Sequence, residues 1–395
     1  MSTWAVVVMK SIFLIILAAV FPRLLIRAGA ATTRSSRPPQ QQVPCMFIFG
    51  DSLVDNGNNN GILTLARANY MPYGIDFSRG VTGRFTNGRT TVDVLAQLLG
   101  FSDFIPPYAI TRGSALLRGV NYASGAAGIR DETGNNLGDH LSMNRQVQNF
   151  ASTVEQLRRY FMRGNSRSSS TTTLVDNYLS KCIFYAGMGS NDYLNNYFMP
   201  QYYTTSLDYS PKSYADSLLR DYSHQLKQLY NLGARKIVVS GVGEIGCIPY
   251  EIARIDNNNN NDNNNRTDRC NQTINKSIEM FNSGLVKMVD RYNRGELPGA
   301  HFVFVNTQHI SKNIVNHAKS YGFKVLDKGC CGVGKNNGQI TCLPLQLPCE
   351  NRDEYLFWDA FHLTEAANII LAEKAYGSKL CSDVYPMNIR QLVRM

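Results

Sequence analysis

The chain contains no hydrophobic run long enough to cross a bilayer. Ser11 to Val20 is apolar, but Pro22, Arg23 and Arg27 interrupt it well short of the ~20 apolar residues a span needs. The first thirty residues contain no acidic residue at all. Lys10, the apolar run and Ala28-Gly29-Ala30 together make the charged, hydrophobic and small-residue sequence of a cleavable export signal. Nowhere do five Lys or Arg residues stand together, so the net charge of +10 makes no basic stripe, and a nucleic-acid partner is not expected. Removing a leader that carries Lys10, Arg23 and Arg27 lowers that charge to +7. Cys-x₂₋₄-Cys spacing is missing, which argues against a structural zinc site, and no metal is expected. Nor does a Gly-x-Ser-x-Gly turn surround Ser52, so the usual α/β-hydrolase nucleophile elbow is excluded there. No internal repeat is visible.

Nine cysteines follow the leader, a number that suits an oxidising compartment and leaves at least one unpaired. Cys45 and Cys182 stand in apolar, strand-like runs and read as buried thiols. Cys247, Cys270, Cys330, Cys331, Cys342, Cys349 and Cys381 fall in Gly-, Asn- and Pro-rich connections and read as disulfide candidates. Their pairing is not legible from spacing.

Short apolar runs without polar alternation occur at Cys45–Phe49, Cys182–Ala186, Lys236–Ser240 and Phe302–Asn306. Between them, Val147, Phe150, Val154, Leu157 and Phe161 step by three and four, as do Ile278, Phe281, Leu285, Met288 and Tyr292. Ser213–Leu232 is a third helix, stopped by Gly233. Fully apolar strands separated by amphipathic helices predict a parallel sheet covered on both faces, a three-layer α/β/α architecture. A leader over 1–30, a short linker over 31–44 and one domain over 45–392 are expected. Gly164–Thr173 and Asp256–Asn265 read as surface loops. The sequons at Asn265, Asn271 and Asn275 are candidate glycan acceptors in an exported chain.

In a parallel sheet, binding sites lie beyond the carboxyl ends of the strands. Ser52 follows the first strand in Gly50-Asp51-Ser52, where it could cap a helix or expose a reactive hydroxyl. Gly119–Gly128 is a run of small residues that lets backbone amides approach a ligand, or lets a helix pack tightly on a strand. Asn191 follows the second strand and could donate from its side chain or serve as a turn residue. Asp359 and His362, at i and i+3 before a helix over Thr364–Tyr376, place a carboxylate against one imidazole nitrogen and leave the other facing outward. Of the six histidines, His362 alone has such a partner at a strand end. A serine, an imidazole and a carboxylate are the groups that acyl transfer requires. Gly241–Gly246 matches a dinucleotide fingerprint, but Cys247-Ile248-Pro249 follows where a helix should open. No nucleotide or other cofactor is expected.

Four blocks in order, FGDSLVDNGNNN (49–60), GVNYASGAAGI (119–129), GMGSND (187–192) and FWDAFHLTEAAN (357–368), resemble those of plant GDSL esterases/lipases of the SGNH hydrolase superfamily. The resemblance runs from Cys45 to about Leu392. It implies a flavodoxin-like α/β/α sheet and a secreted, extracellular (apoplast or cell-wall) serine esterase. It further implies Ser52 as nucleophile, His362 as base, Asp359 as its partner, and an oxyanion hole of Ser52, Gly125 and Asn191. Leu363 departs from the proline that often follows this histidine. Lipid, cutin-type, phenolic and acetylated-sugar esters are all compatible substrates. Transfer of the acyl group to an alcohol needs the same residues, and only product analysis with an added alcohol separates it from hydrolysis. A catalytically silent glycan- or partner-binding role is the remaining alternative.

Overall fold

Four strands rich in Val, Ile and Phe pair in parallel: β1 (Met46–Gly50), β2 (Ile183–Gly187), β3 (Lys236–Ser240) and β4 (His301–Val305). Almost every residue in them is buried, as expected for a sheet covered on both faces. Each lies within one residue of its predicted position. A short antiparallel strand, β7 (Val384–Tyr385), closes the β4 edge. On the far edge, Val120–Ser124 runs beside β1: the Ile48 amide donates to Val120, and the Tyr122 and Ser124 amides donate to Ile48 and Gly50. The second extended segment in the chain therefore lies outside the first, which is the flavodoxin-like order.

The computed structural model describes residues 40–164, 171–258 and 270–395, all within the compact unit Pro39–Met395. The expected leader 1–30, residues 31–39 of the linker, Asn265, and most of the two expected loops lie outside the described residues. The end of the linker is part of the fold: Val43 is buried and the Gln42 amide donates to Leu99. The expected loops are also shorter than read, because helices occupy Thr171–Leu179 and Pro249–Asn258 at their borders.

Helices flank the sheet where the apolar spacing places them. On Met143–Gly164, Val147, Phe150, Val154 and Leu157 are buried, and Phe150 packs against Phe47 and Phe184 of neighbouring strands. Pro211–Asn231 starts with Ser210 accepting from the Ser213 amide and ends before Gly233, whose φ of 109° suits only glycine. It packs against Gln272–Arg291, while Thr91–Leu98 packs against Glu365–Gly377. A second, two-stranded parallel sheet, β5 (Val325–Gly329) with β6 (Tyr355–Phe357), is not evident from the sequence pattern.

The cysteine reading needs two corrections. Cys45 and Cys182 are not free thiols but a disulfide, because β1 and β2 begin side by side and bring their Cα atoms to 4.8 Å. Cys381, read as a disulfide candidate, is free and exposed. Cys247–Cys270, Cys330–Cys349 and Cys331–Cys342 pair among the remaining candidates.

Candidate active site

Gly50, Gly187, Ser240 and Val305 stand in one row across the sheet, so the four parallel strands end level. Their loops form one continuous edge, and the predicted residues converge there. β1 runs directly into Ser52. Gly50 is clamped by Gln146, which accepts from its amide at 2.9 Å and donates to its carbonyl at 2.8 Å. A Cβ at Gly50 would stand 2.4 Å from a Val54 methyl, so the turn tolerates only glycine.

From the other end of the chain, β6 delivers the loop Trp358–Leu363. The Trp358 amide donates to His362 at 2.7 Å, and Phe357 bridges Leu363, so leucine in place of proline leaves this loop tied down. His362 Nε2 lies 2.8 Å from Ser52 Oγ, and its Nδ1 lies 2.8 and 2.9 Å from the two Asp359 oxygens. With the proton on Nδ1 facing the carboxylate, Nε2 is the acceptor for the serine hydroxyl. That arrangement can activate a nucleophile and shuttle its proton.

Asp359 is fully buried yet well satisfied. Oδ1 accepts from the Phe361 and His362 amides, both at 2.8 Å, and Oδ2 accepts from the Tyr73 hydroxyl at 2.5 Å. Burial alone would raise its pKa. The His362 charge and hydrogen bond, with Tyr73 and the Phe361 amide, outweigh that and hold it below the ordinary carboxylate value. Tyr73 is pushed well above its usual range by burial and the Asp359 charge, so it remains a donor. The Phe85 ring covers the imidazole at 5.0 Å between centroids. Tyr73 and Phe85 carry no signal in the sequence: neither lies in a periodic run or beside a catalytic block.

The Gly125 amide, expected to face the substrate, donates instead to the buried Asp55 carboxylate at 3.0 Å. Asp55 also accepts from the Gly57 and Asn58 amides, binding the serine loop to the Gly119–Gly128 run. Gly125 is glycine for space, since a Cβ there would lie 2.7 Å from the Phe85 ring. Ala126, held at φ 67°, is the residue of that run that lines the cleft with Ser52, Asn191 and His362. Asn191 Nδ2 spends one hydrogen on the Ala127 carbonyl at 2.9 Å and has a second to give, while its Oδ1 accepts from Asn195. The Asn-rich loop after Ser52 is scaffold: Asn58 and Asn59 donate to Asn121, Ala123 and Gly125 carbonyls. The cleft has an open volume of about 410 Å³.

Among the described residues, no group of three or more His, Cys, Asp or Glu side chains could hold a metal ion. Gly243, Glu244 and Ile245, from the Gly241–Gly246 stretch, line a cavity at this edge of the sheet. The candidate glycan acceptor Asn275 has its side chain engaged inside the fold. It is buried, accepting from the Gly246 amide and donating to Cys247 Sγ. Asn271 caps the Gln272–Arg291 helix through the Ile274 amide.

Asp51, adjacent to Ser52, has a distinct electrostatic signature. Burial pushes its carboxyl up from 3.8 to about 6, with the Leu53 amide and the His362 charge only partly opposing. A raised folded pKa means the folded state holds this proton between about pH 4 and 6 while the unfolded chain releases it. This contribution to stability is therefore complete below about pH 4 and is lost as pH rises through about 6. The Asp51→Asn variant should lack it. Its stability relative to wild type should increase by up to about 3 kcal/mol between pH 4 and 7, measured by urea unfolding. A wild-type–variant difference independent of pH would refute the assignment.

Residues 46–375 match the family described as GDSL-like Lipase/Acylhydrolase. One Arabidopsis thaliana GDSL esterase/lipase is 58% identical over 371 residues, covering 94% of this chain and 96% of the relative. A second from the same plant is 54% identical over 352 residues, covering 89% and 92%, and a third is 52% identical over 352 residues, covering 89% and 93%.

Proposed function

Because the chain belongs to the GDSL-like lipase/acylhydrolase family and is therefore a carboxylester hydrolase, we propose that it works through an acyl-enzyme on Ser52. His362 takes the Ser52 proton as Oγ attacks the ester carbonyl, then gives it to the departing alcohol. The same imidazole activates water for deacylation. Asp359 holds the ring in its working tautomer and stabilises the imidazolium. The oxyanion is received by the Ser52 amide, the Asn191 side chain and, in place of Gly125, the Ala126 amide. Neither of these two amides is engaged by a group among the described residues. The continuous Ser52–His362–Asp359 hydrogen-bond chain is the observation that carries this reading.

Asn191→Ala tests the electrostatic half. It should lower kcat by about 10²–10³, the 2.7–4 kcal/mol typical of one oxyanion donor, with little change in KM. An unchanged kcat would remove Asn191 from the site.

We further propose that 1–30 is a cleaved signal, 31–44 a short connection and 45–392 the hydrolase domain of an extracellular protein. The four disulfides support an oxidising destination. Edman sequencing of protein from the extracellular fluid should begin near Ala31; a mature chain retaining residues 1–30 would overturn this.

A further inference from the structure

Beside the Ser52 cleft lies a second, smaller cavity of about 110 Å³, between the carboxyl edge of the sheet and the helices Thr307–Asn316 and Glu365–Gly377. The two share Asp51, Leu53, Ser190, Ile245 and Phe361, so they meet immediately beside the serine. Leu53, Ile245 and Phe361 make an apolar neck. Beyond it, Met188, Val242, Ile314 and Leu371 supply apolar wall. Most polar side chains there already have partners: Ser240 Oγ lies 3.0 Å from Thr307 Oγ1, Thr91 donates to Asn368 at 3.0 Å, the Asp51 carboxylate accepts from the Leu53 amide, and Glu244 pairs with Lys312.

We propose that this cavity is the acyl-chain subsite and that it selects an unbranched aliphatic chain. The inference rests on Ser52 as the acyl-bearing residue. A sugar would surrender hydrogen bonds to water and find most of the polar wall groups already paired. The two cavities also divide the substrate by timing. The alcohol must leave and water must enter past His362, so the larger cleft on that side serves them. The acyl group stays on Ser52 through both steps and can occupy the narrower space, where each methylene buried strengthens binding.

Gly243 provides the test. It lines the cavity, it has no left-handed backbone, and a Cβ there would meet only Thr307 and Ser311 atoms at 3.5 and 3.6 Å. Gly243→Leu should fill the space, and Val315→Ala should enlarge it. The readout is the ratio of kcat/KM for p-nitrophenyl dodecanoate over p-nitrophenyl acetate. Relative to wild type it should fall at least about tenfold in Gly243→Leu, the factor for excluding two methylenes, and rise in Val315→Ala. Thermal unfolding of each variant checks that it is folded. Ratios unchanged in both folded variants would overturn the subsite while leaving the Ser52 mechanism standing. So would a chain-length effect that appears only with acetate esters of long alcohols. Turnover that persists in Ser52→Ala would instead overturn the mechanism, and this inference with it.

Discussion

Ser52→Ala should eliminate ester turnover, with kcat falling at least about 10⁴-fold, while the thermal unfolding midpoint stays within a few degrees of wild type. The two halves of this result have separate causes. The loss is large because, among the described residues, the partner of His362 Nε2 is Ser52 Oγ at 2.8 Å. The fold survives because Ser52 is only half-buried and its side chain holds nothing else in place. The turn is fixed by its neighbours instead, through the Gln146 clamp on Gly50 and the Asp51 carbonyl accepting from Val54 and Asp55. Residual activity above a few percent in purified variant would reject Ser52 as the nucleophile.

Asp359→Asn should be nearly as severe, a loss of about 10⁴-fold in kcat by comparison with triads of the same design. The carboxylate is acceptor-only and receives four donors: Tyr73, two backbone amides and His362 Nδ1. An asparagine must aim its NH₂ somewhere among them. Turned toward the imidazole, it stabilises the tautomer with the proton on Nε2, which then cannot accept from Ser52. Turned toward Tyr73, it faces a hydroxyl that must give up its own donor role. Steady-state kinetics on p-nitrophenyl acetate, with circular dichroism to confirm folding, decide the matter. A loss below tenfold would mean that Asp359 does not orient the base.

Legibility in the sequence followed the range of the interactions involved. Apolar runs located four strands to within one residue, because a strand buried on both faces needs nothing but apolar side chains. The end of the helix Pro211–Asn231 is readable for the same local reason, at Gly233, whereas the helices Thr171–Leu179 and Pro249–Asn258 reach into segments whose polar composition reads as loop. Ser52, Asp359, His362 and Asn191 stand out in the sequence because each sits at a strand end beside its own motif, and the fold brings them to one edge of the sheet. What escaped depends on contacts made across the chain. Tyr73 meets Asp359 from 286 residues away. Gly125 looked like a donor, yet its amide is claimed by Asp55, a pairing that only the folded loop creates. Cys45 and Cys182 resembled inert core thiols because their neighbours are apolar; the register of β1 on β2 makes them partners. Asn275 is a candidate glycan acceptor by its sequon, whereas its own helix turns it inward.

The Cys45–Cys182 bond closes the polypeptide into a ring of 137 residues' separation that contains Ser52 and Ala126 but neither Asn191 nor His362. A protease that cuts once anywhere inside this ring cannot divide the molecule. The nicked enzyme would migrate as a single band without reductant and as two with it. Both parts of the proposed site would remain tethered at the end of the sheet opposite the cleft.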